Sequence, residues 1–438
     1  MSITIDFIIF TALMGISAAA GISMIFPLIA GFILFTTTAL RVGFGGREIA
    51  GFVRESLSES FIVVGIMLII GCLTGMWRLS GTVAYFVAAG VTAIPPRFFI
   101  LAAFLLASAM SFALGTSFGV SATAGVILMS IARAGGVNPV LAAGAILSGV
   151  YVGDRGSPAA SSANLVAVLT HTDMRQNVRK MFRSSLVPFL ISALIFALMS
   201  AASPMDTVDT GTISMLQEEF SLSWFCLIPA VLMILLPFLR VKIKLSMVIS
   251  LAASVAVAVL CQGSTGKNCL DAMIFGYNAE NPLLSGMLSG GGVVSMLEVC
   301  AILVISCSYG KIFQGTGMLK PVNRLISRLG KKTGRFPMMV FTGLLVSAVF
   351  CNQTIGAIMQ SSLSEDMYKE DEKYLKMLDM ENSVILLAGM VPWCIACSVP
   401  LTMIGADIRC IPFNVYLWLV PLCWSVRRLI DKKKGGIK

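Results

Sequence analysis

The chain has 438 residues, of which 57% are hydrophobic and only 12% charged, with a formal net charge of +10. A soluble domain carries about 25% charged residues, so this chain cannot clothe itself in polar surface, and the composition excludes a soluble globular protein. The positive charge is grouped where loops should be, which reads as the basic bias of cytoplasmic loops and not as a nucleic-acid surface.

Apolar runs predict roughly a dozen spans, near residues 5–20, 22–40, 60–76, 98–114, 117–132, 139–152, 184–201, 221–239, 245–261, 292–309, 337–361, 381–406 and 411–426. The first resembles a signal peptide through SAAAG, but MSITIDF lacks a basic start and a second span follows at once, so a retained helix is expected. Residues 171–183 carry Arg175, Arg179, Lys180 and Arg183. Residues 203–220 carry Asp206, Asp209, Glu218 and Glu219 without any Lys or Arg. Residues 311–335 carry Lys311, Lys320, Arg324, Arg328, Lys331, Lys332 and Arg335, and the tail reads RRLIDKKKGGIK. These loops should alternate inside, outside, inside, with the C-terminus cytoplasmic in a bacterial inner membrane. The expected organisation is a membrane repeat over 1–202, an extracytoplasmic linker over 203–220 and a second repeat over 221–438.

The 11 cysteines lie mostly within spans. Cys394 and Cys397 form a CxxC in an apolar stretch, in a chain with one histidine, His171, and read as small buried thiols. Cys261 and Cys269 flank an outside loop, and a disulfide between them stays open.

The halves echo each other at an offset of about 236 residues. GCLTGMWRLSGTV (71–83) matches SYGKIFQGTGML (308–319), ALGTSFG (113–119) matches FCNQTIG (350–356), and SGVYVGDRGSPAASSANL (148–165) matches SVILLAGMVPWCIACSVPL (383–401). Basic residues precede span 60–76 and follow span 292–309, so the two should cross in opposite directions, as inverted repeats do. Three apolar segments lie between two loops that both look cytoplasmic, so one of them must be re-entrant or broken. Candidates are 337–361, with its amides, and 381–406, with Pro392 and Pro400. The expected fold is therefore an all-α polytopic membrane protein, two inverted-topology repeats with broken or re-entrant helices at the midplane.

The chemistry-bearing residues sit in those interruptions. Asp154 lies between apolar flanks, where an ionised residue costs about 3 kcal/mol or more. Gly153, Gly156 and Pro158 would break the helix and free backbone groups, and Ser157, Ser161, Ser162 and Asn164 add oxygens. This set of hard ligands suits Na+ or H+. Thr116 and Ser117 form a second element, Asn352, Gln353 and Thr354 its counterpart, and Glu381, Asn382 and Ser383 the last polar site. Structural readings stand beside these: a surface loop at Asp154 and Arg155, small-residue packing at 115–119, and a helix start at Glu381. Arg155 is either an anion ligand or a snorkelling side chain. Glu298, Trp77 and Trp393 read as structural or interfacial.

At these residues the chain resembles the NhaC-type sodium/proton antiporters of the ion transporter superfamily. GMWRLSGTV, GTSFGVSATAGVILM, GAILSGVYVGDRGSP, Asn164-Leu165 and Val391-Pro392-Trp393 fall in the expected order. The resemblance implies exchange of Na+ for H+, in some relatives coupled to organic anions. Ser161, Asn382 and Cys394 stand where such relatives tend to carry Asp, Asp and Asn, so a weaker Na+ site is expected. The function expected is alternating-access cation/proton antiport, with no cofactor, no enzyme activity, the bilayer as surroundings and a homodimer as an open assembly. The alternative is an H+- or Na+-coupled carrier of a small organic acid or amino acid.

Overall fold

A computed structural model describes residues 3–20, 22–205, 210–239, 241–279, 281–316, 326, 329–330 and 333–433. Asp206, Asp209, Lys320, Arg324, Arg328, Lys331, Lys332 and residues 434–438 lie outside the described residues. Those described are almost entirely helical, with one isolated bridge between Tyr277 and Gly290. Helices are forced on an apolar chain because lipid offers its backbone no partner.

Seven helices among the described residues are long and apolar enough to cross a membrane, or eight if one bent pair counts as a span. The sequence count was higher: Ile5–Ser17, Trp224–Pro237 and Arg335–Phe350 are shorter apolar helices, and the expected spans 139–152 and 411–426 fall in the helices Pro139–Gly156 and Val415–Lys433, which are not among the seven. The segment expected as 60–76 is part of a longer continuous helix, Gly46–Leu79, whose first turns carry the basic residues that precede the span, Arg47 and Arg54. Trp77 is buried and donates to Ser250 Oγ at 3.1 Å, and Glu298 accepts from Ser23 at 2.8 Å. Cys261 and Cys269 are unpaired, so the disulfide left open is not formed.

Four interrupted elements position the site. The first hairpin joins Phe99–Leu114 to Ser117–Ala134. Its two ends meet at Met205, whose N–H donates to the Pro96 carbonyl at 3.0 Å and whose side chain abuts Gly135. The first broken helix runs Pro139–Gly156, breaks, and resumes as Ser161–Leu169. The second hairpin joins Arg335–Phe350 to Gln353–Leu363. Its arms are tied by Gln360 Nε2 donating to the Met339 carbonyl at 2.6 Å, and its ends by Arg335 and Glu372 at 2.5 Å. The second broken helix runs Lys373–Glu381, breaks at Asn382–Ser383, continues from Val384, and bends by 49° before Ile395–Ile404.

The two hairpin tips share one backbone design. Gly115 lies in the left-handed region at φ 65°, ψ 29°, and extended Thr116 caps the next helix, its side chain accepting from Gly119 N. In the second half Cys351 lies at φ 51°, ψ 15°, and extended Asn352 caps with its side chain accepting from Thr354 N and Ile355 N. Each tip abuts an interruption of the broken helix in its own half, the break after Gly156 in the first and the bend before Ile395 in the second. A Cβ on Gly115 would meet the Ala159–Ala160 backbone at 2.5–2.7 Å, and Ile395 N donates to the Cys351 carbonyl at 2.8 Å. The first broken helix reaches this position by pressing on the hairpin arm: a Cβ on Gly153 would lie 1.9 Å from the Ser111 carbonyl carbon, so only glycine fits there.

Candidate functional site

Asp154 closes the first arm of the first broken helix and is 3% exposed. Its Oδ2 accepts from Gln353 Nε2 at 3.0 Å, a bond that crosses from one half of the chain to the other. The Ser117 N–H and hydroxyl and the Ser162 hydroxyl also lie against the carboxylate. Ser117 is the first residue after the Thr116 cap, so its N–H is one of the free donors of a helix start. A π-helical turn, Ser121–Gly125, follows, a distortion frequent at functional sites. Ser162 Oγ donates as well to the Asp154 main-chain carbonyl at 2.5 Å, folding the break back on itself.

A cavity opens beside this carboxylate, lined by Ser161, Ser162, Leu165, Gln353, Thr354 and Ile385. It is built from the second arm of the first broken helix, the second hairpin tip and the second broken helix. Gln353 Nε2 bridges Asp154 Oδ2 and the Ile385 carbonyl, at 3.0 and 2.8 Å. The amide nitrogen thus sits between two oxygens, the position a small cation would take.

Arg155 is 0% exposed, which excludes snorkelling. Its guanidinium donates to Asn382 Oδ1 at 2.5 Å, Ser184 Oγ at 2.8 Å and the Met181 carbonyl at 3.3 Å. Glu381 is 1% exposed and lies within electrostatic reach of Arg155 first and Asp154 second. Three buried atoms here have no partner: Arg155 Nε, Asn382 Nδ2 and Glu381 Oε2. Buried polar groups are rarely left unbonded, so this cluster is arranged for something besides packing.

The candidate residues therefore divide. Asp154, Ser117, Ser162 and Gln353 converge on one point, Ser161 and Thr354 line the cavity, and Glu381 and Asn382 stand beside Arg155. The others serve the scaffold. Asn164 Nδ2 bonds the Pro158 and Ala160 carbonyls at 3.1 and 2.7 Å, and Ser157 Oγ accepts from Ala159 N at 3.2 Å. Thr116 and Asn352 are helix caps, and Ser383 bonds the Asp379 carbonyl and Gln360 Oε1. The helix start expected at Glu381 is instead a helix end before a break. Trp393 packs, donating to the Ala348 carbonyl at 2.8 Å. Tyr151 was not foreseen: its hydroxyl donates to the Ala396 carbonyl at 2.5 Å and joins the two broken helices.

Helix interruptions from both halves that meet around a buried carboxylate define a polytopic helical membrane protein with the build of a secondary transporter. Residues 149–426 match the model of the Na+/H+ antiporter family, and the chain belongs to that family. It is 28% identical over 363 residues to the malate-2H(+)/Na(+)-lactate antiporter of Bacillus subtilis, covering 81% of this chain and 78% of that protein. Over 391 residues it is 24% identical to the Na(+)/H(+) antiporter NhaC of Alkalihalophilus pseudofirmus, covering 87% and 84%. The arginine/ornithine antiporter ArcD of Halobacterium salinarum is 25% identical over 389 residues, covering 85% and 79%.

Proposed function

We propose that the protein exchanges Na+ for H+ across a bacterial membrane by alternating access, with Asp154 as the carboxylate for which the two cations compete. The observation that carries this reading is the Gln353 bridge. A neutral amide donor holds the gap between a carboxylate and a main-chain carbonyl, with Ser161, Ser162 and Thr354 hydroxyls around it. A cation entering the cavity replaces the amide nitrogen, and Gln353 turns to offer its oxygen. A proton on Asp154 removes the charge that holds the cation. One carboxylate shared by two competing ligands gives exchange when only the loaded site changes orientation.

Inverted repeats provide the motion. Three observations support them: the matched tip geometries, the tip-against-break contacts in both halves, and the places where the hairpins open. The first hairpin ends at Met205, just beyond the helix Met174–Ala202. The second is based near Tyr374, whose ring lies 5.1 Å from Lys180 Nζ, near the start of that helix. Residues 180 and 202 are about 33 Å apart along a helix, close to the ~30 Å hydrocarbon thickness. On this reading the hairpins enter from opposite ends, and the basic loops of the sequence favour a cytoplasmic C-terminus.

The test is proton movement in everted vesicles, read with a ΔpH dye across Na+, Li+, K+ and a panel of organic acids. Asp154→Asn keeps size and hydrogen bonding but removes the charge, and should lower exchange at least 100-fold while the purified protein stays monodisperse. Asp154→Glu should keep partial activity with a displaced pH profile. Near-normal exchange by Asp154→Asn would move the carboxylate role to Glu381.

A second reading, coupled exchange of a small organic acid or amino acid, is favoured by the unpartnered donors Arg155 Nε and Asn382 Nδ2, which suit a carboxylate. Relatives that exchange malate, lactate, arginine or ornithine accord with it. Counterflow of labelled organic acids without Na+-dependent proton movement would select it.

A further inference from the structure

The two broken helices touch each other directly, and their contacts frame the gap that the Gln353 amide fills. Arg155 donates to Asn382 Oδ1 at 2.5 Å. Asp154 Oδ2 and the Ile385 carbonyl face each other across Gln353 Nε2, at 3.0 and 2.8 Å. The Tyr151 ring lies flat against Gly389, where an added Cβ would sit 2.5 Å from Tyr151 Cζ. The contacts step back along the first helix, from Arg155 to Asp154 to Tyr151, as they advance along the second, from Asn382 to Ile385 to Gly389. The two segments therefore run antiparallel, with the gap between a contact on one side and a contact on the other.

Those two contacts differ in stiffness. The bond from Arg155 to Asn382 joins two side chains with free torsions, and it can swing or lengthen. The contact of Tyr151 with Gly389 is an aromatic ring on bare backbone, and packed atoms do not compress. The ring is held in place: Tyr151 is 1% exposed, and its hydroxyl donates to the Ala396 carbonyl at 2.5 Å, beyond the 49° bend. Gly389 is held from its other side by Leu417, whose Cδ2 would lie 2.8 Å from the same added Cβ. Helix positions three or four apart share a face. Tyr151 is thus one turn from Asp154, and Gly389 one turn from Ile385 in the helical run Val384–Met390. A shift where ring meets glycine passes to the two oxygens a turn away.

We propose that Tyr151 is a positioning residue: its ring, seated on Gly389, sets the width between Asp154 and the Ile385 carbonyl and so decides which monovalent cation the carrier prefers. The inference rests on the antiport reading above and adds a determinant of its selectivity. A wider span of oxygens suits a larger ion and a narrower one a smaller ion, because selectivity among hard cations follows the size and rigidity of the site.

The experiment measures proton movement with a ΔpH dye in vesicles carrying the full-length protein, over concentration series of Li+, Na+ and K+, and extracts an apparent affinity and a maximal rate for each. Gly389→Ala drives the ring away from the second broken helix and widens the gap. The ratio of Na+ to Li+ affinity should rise about tenfold, the size of a preference of about 1.4 kcal/mol. Tyr151→Leu puts a smaller spacer in the same place and lets the gap close, so the ratio should fall. Tyr151→Phe keeps the ring and loses only the hydroxyl bond, and should keep the wild-type order of cations at a lower maximal rate. A residue that only supports the fold would slow all three cations in proportion. An unchanged ratio in Gly389→Ala and Tyr151→Leu, or a shift of both in the same direction, overturns the inference while leaving antiport standing. A wild-type protein inactive with all three cations overturns antiport and this inference together. If Gly389→Ala does not fold, Tyr151→Leu and Tyr151→Phe decide: an unchanged order in the first or a changed order in the second overturns the spacer role.

Discussion

The two hairpin tips share a backbone and differ in what they present. The first tip, Gly115-Thr116-Ser117, turns the helix-start N–H and the hydroxyl of Ser117 toward a carboxylate in its own half. The second, Cys351-Asn352-Gln353, sends an amide across to the same carboxylate in the other half. The broken helices divide similarly, with Asp154 and Arg155 on the first and Glu381 and Asn382 on the second. The scaffold is thus repeated while the chemistry is shared out, and the site is complete only where the halves meet. A site split this way feels any shift of one half against the other, which is what a carrier requires.

The comparison breaks most completely at the close approach that places the first break. Gly153→Val would drive a side chain into the Ser111–Phe112 backbone, at 1.9–2.2 Å from its first carbon. Backbone cannot move aside as a flexible side chain can, so the cost should exceed the ~1–3 kcal/mol of ordinary overpacking. The expected outcome is loss of monodisperse protein on size-exclusion chromatography. A well-folded Gly153→Val protein would show that the helices can separate there.

The sharing of chemistry is tested by moving the carboxylate across the interface. Asp154→Asn alone should be inactive. Adding Gln353→Glu places an acid 199 residues away in the chain but on the other side of the same 3.0 Å contact. The double variant should recover a measurable part of Na+-dependent proton release, about 1–10% of wild type. No recovery would mean that the carboxylate must belong to the first half. Gln353→Ala has a smaller effect: it removes a hydrogen bond to a charged group, about 1.5–3 kcal/mol, and should change apparent Na+ affinity by about 10- to 100-fold in the same assay.

Much of this was legible in the sequence, for a physical reason. A polar run such as GDRGSPAASSANL among apolar flanks can survive in a membrane only at a cavity or a surface, and Asp154, Ser162 and Gln353 do meet. Helix breaks were legible through Gly and Pro. The hidden part is direction. Sequence gives the oxygens of Asn164, Ser157 and Ser383 but not whether they face the cavity or cap backbone, and all three bond backbone or scaffold groups. Tyr151 was invisible because one tyrosine in an apolar helix looks like packing. The interruption at Asn382–Ser383 carries no Gly or Pro of its own and was read as a helix start.

The smallest effect separates what each tip asks of its backbone. Both Gly115 and Cys351 adopt positive φ, yet one is glycine and the other is not. A non-glycine residue there costs about 1–3 kcal/mol, so Cys351 holds strain that Gly115 does not. Its thiol offsets part of it through contacts with the Tyr309 hydroxyl at 3.9 Å and the Ala348 carbonyl at 3.5 Å. At Gly115 the added Cβ would also meet the Ala159–Ala160 backbone. Gly115→Ala should therefore destabilise by about 2 kcal/mol or more, from strain and overlap together. Cys351→Gly trades relieved strain against a lost buried side chain and greater chain entropy in the unfolded state, and should lie within about 1 kcal/mol of wild type. Thermal aggregation midpoints in detergent, taken with ion exchange in vesicles, read both. If Cys351→Gly destabilised as much as Gly115→Ala, the cysteine would be anchoring the second tip through its thiol, and the likeness of the two tips would end at the backbone.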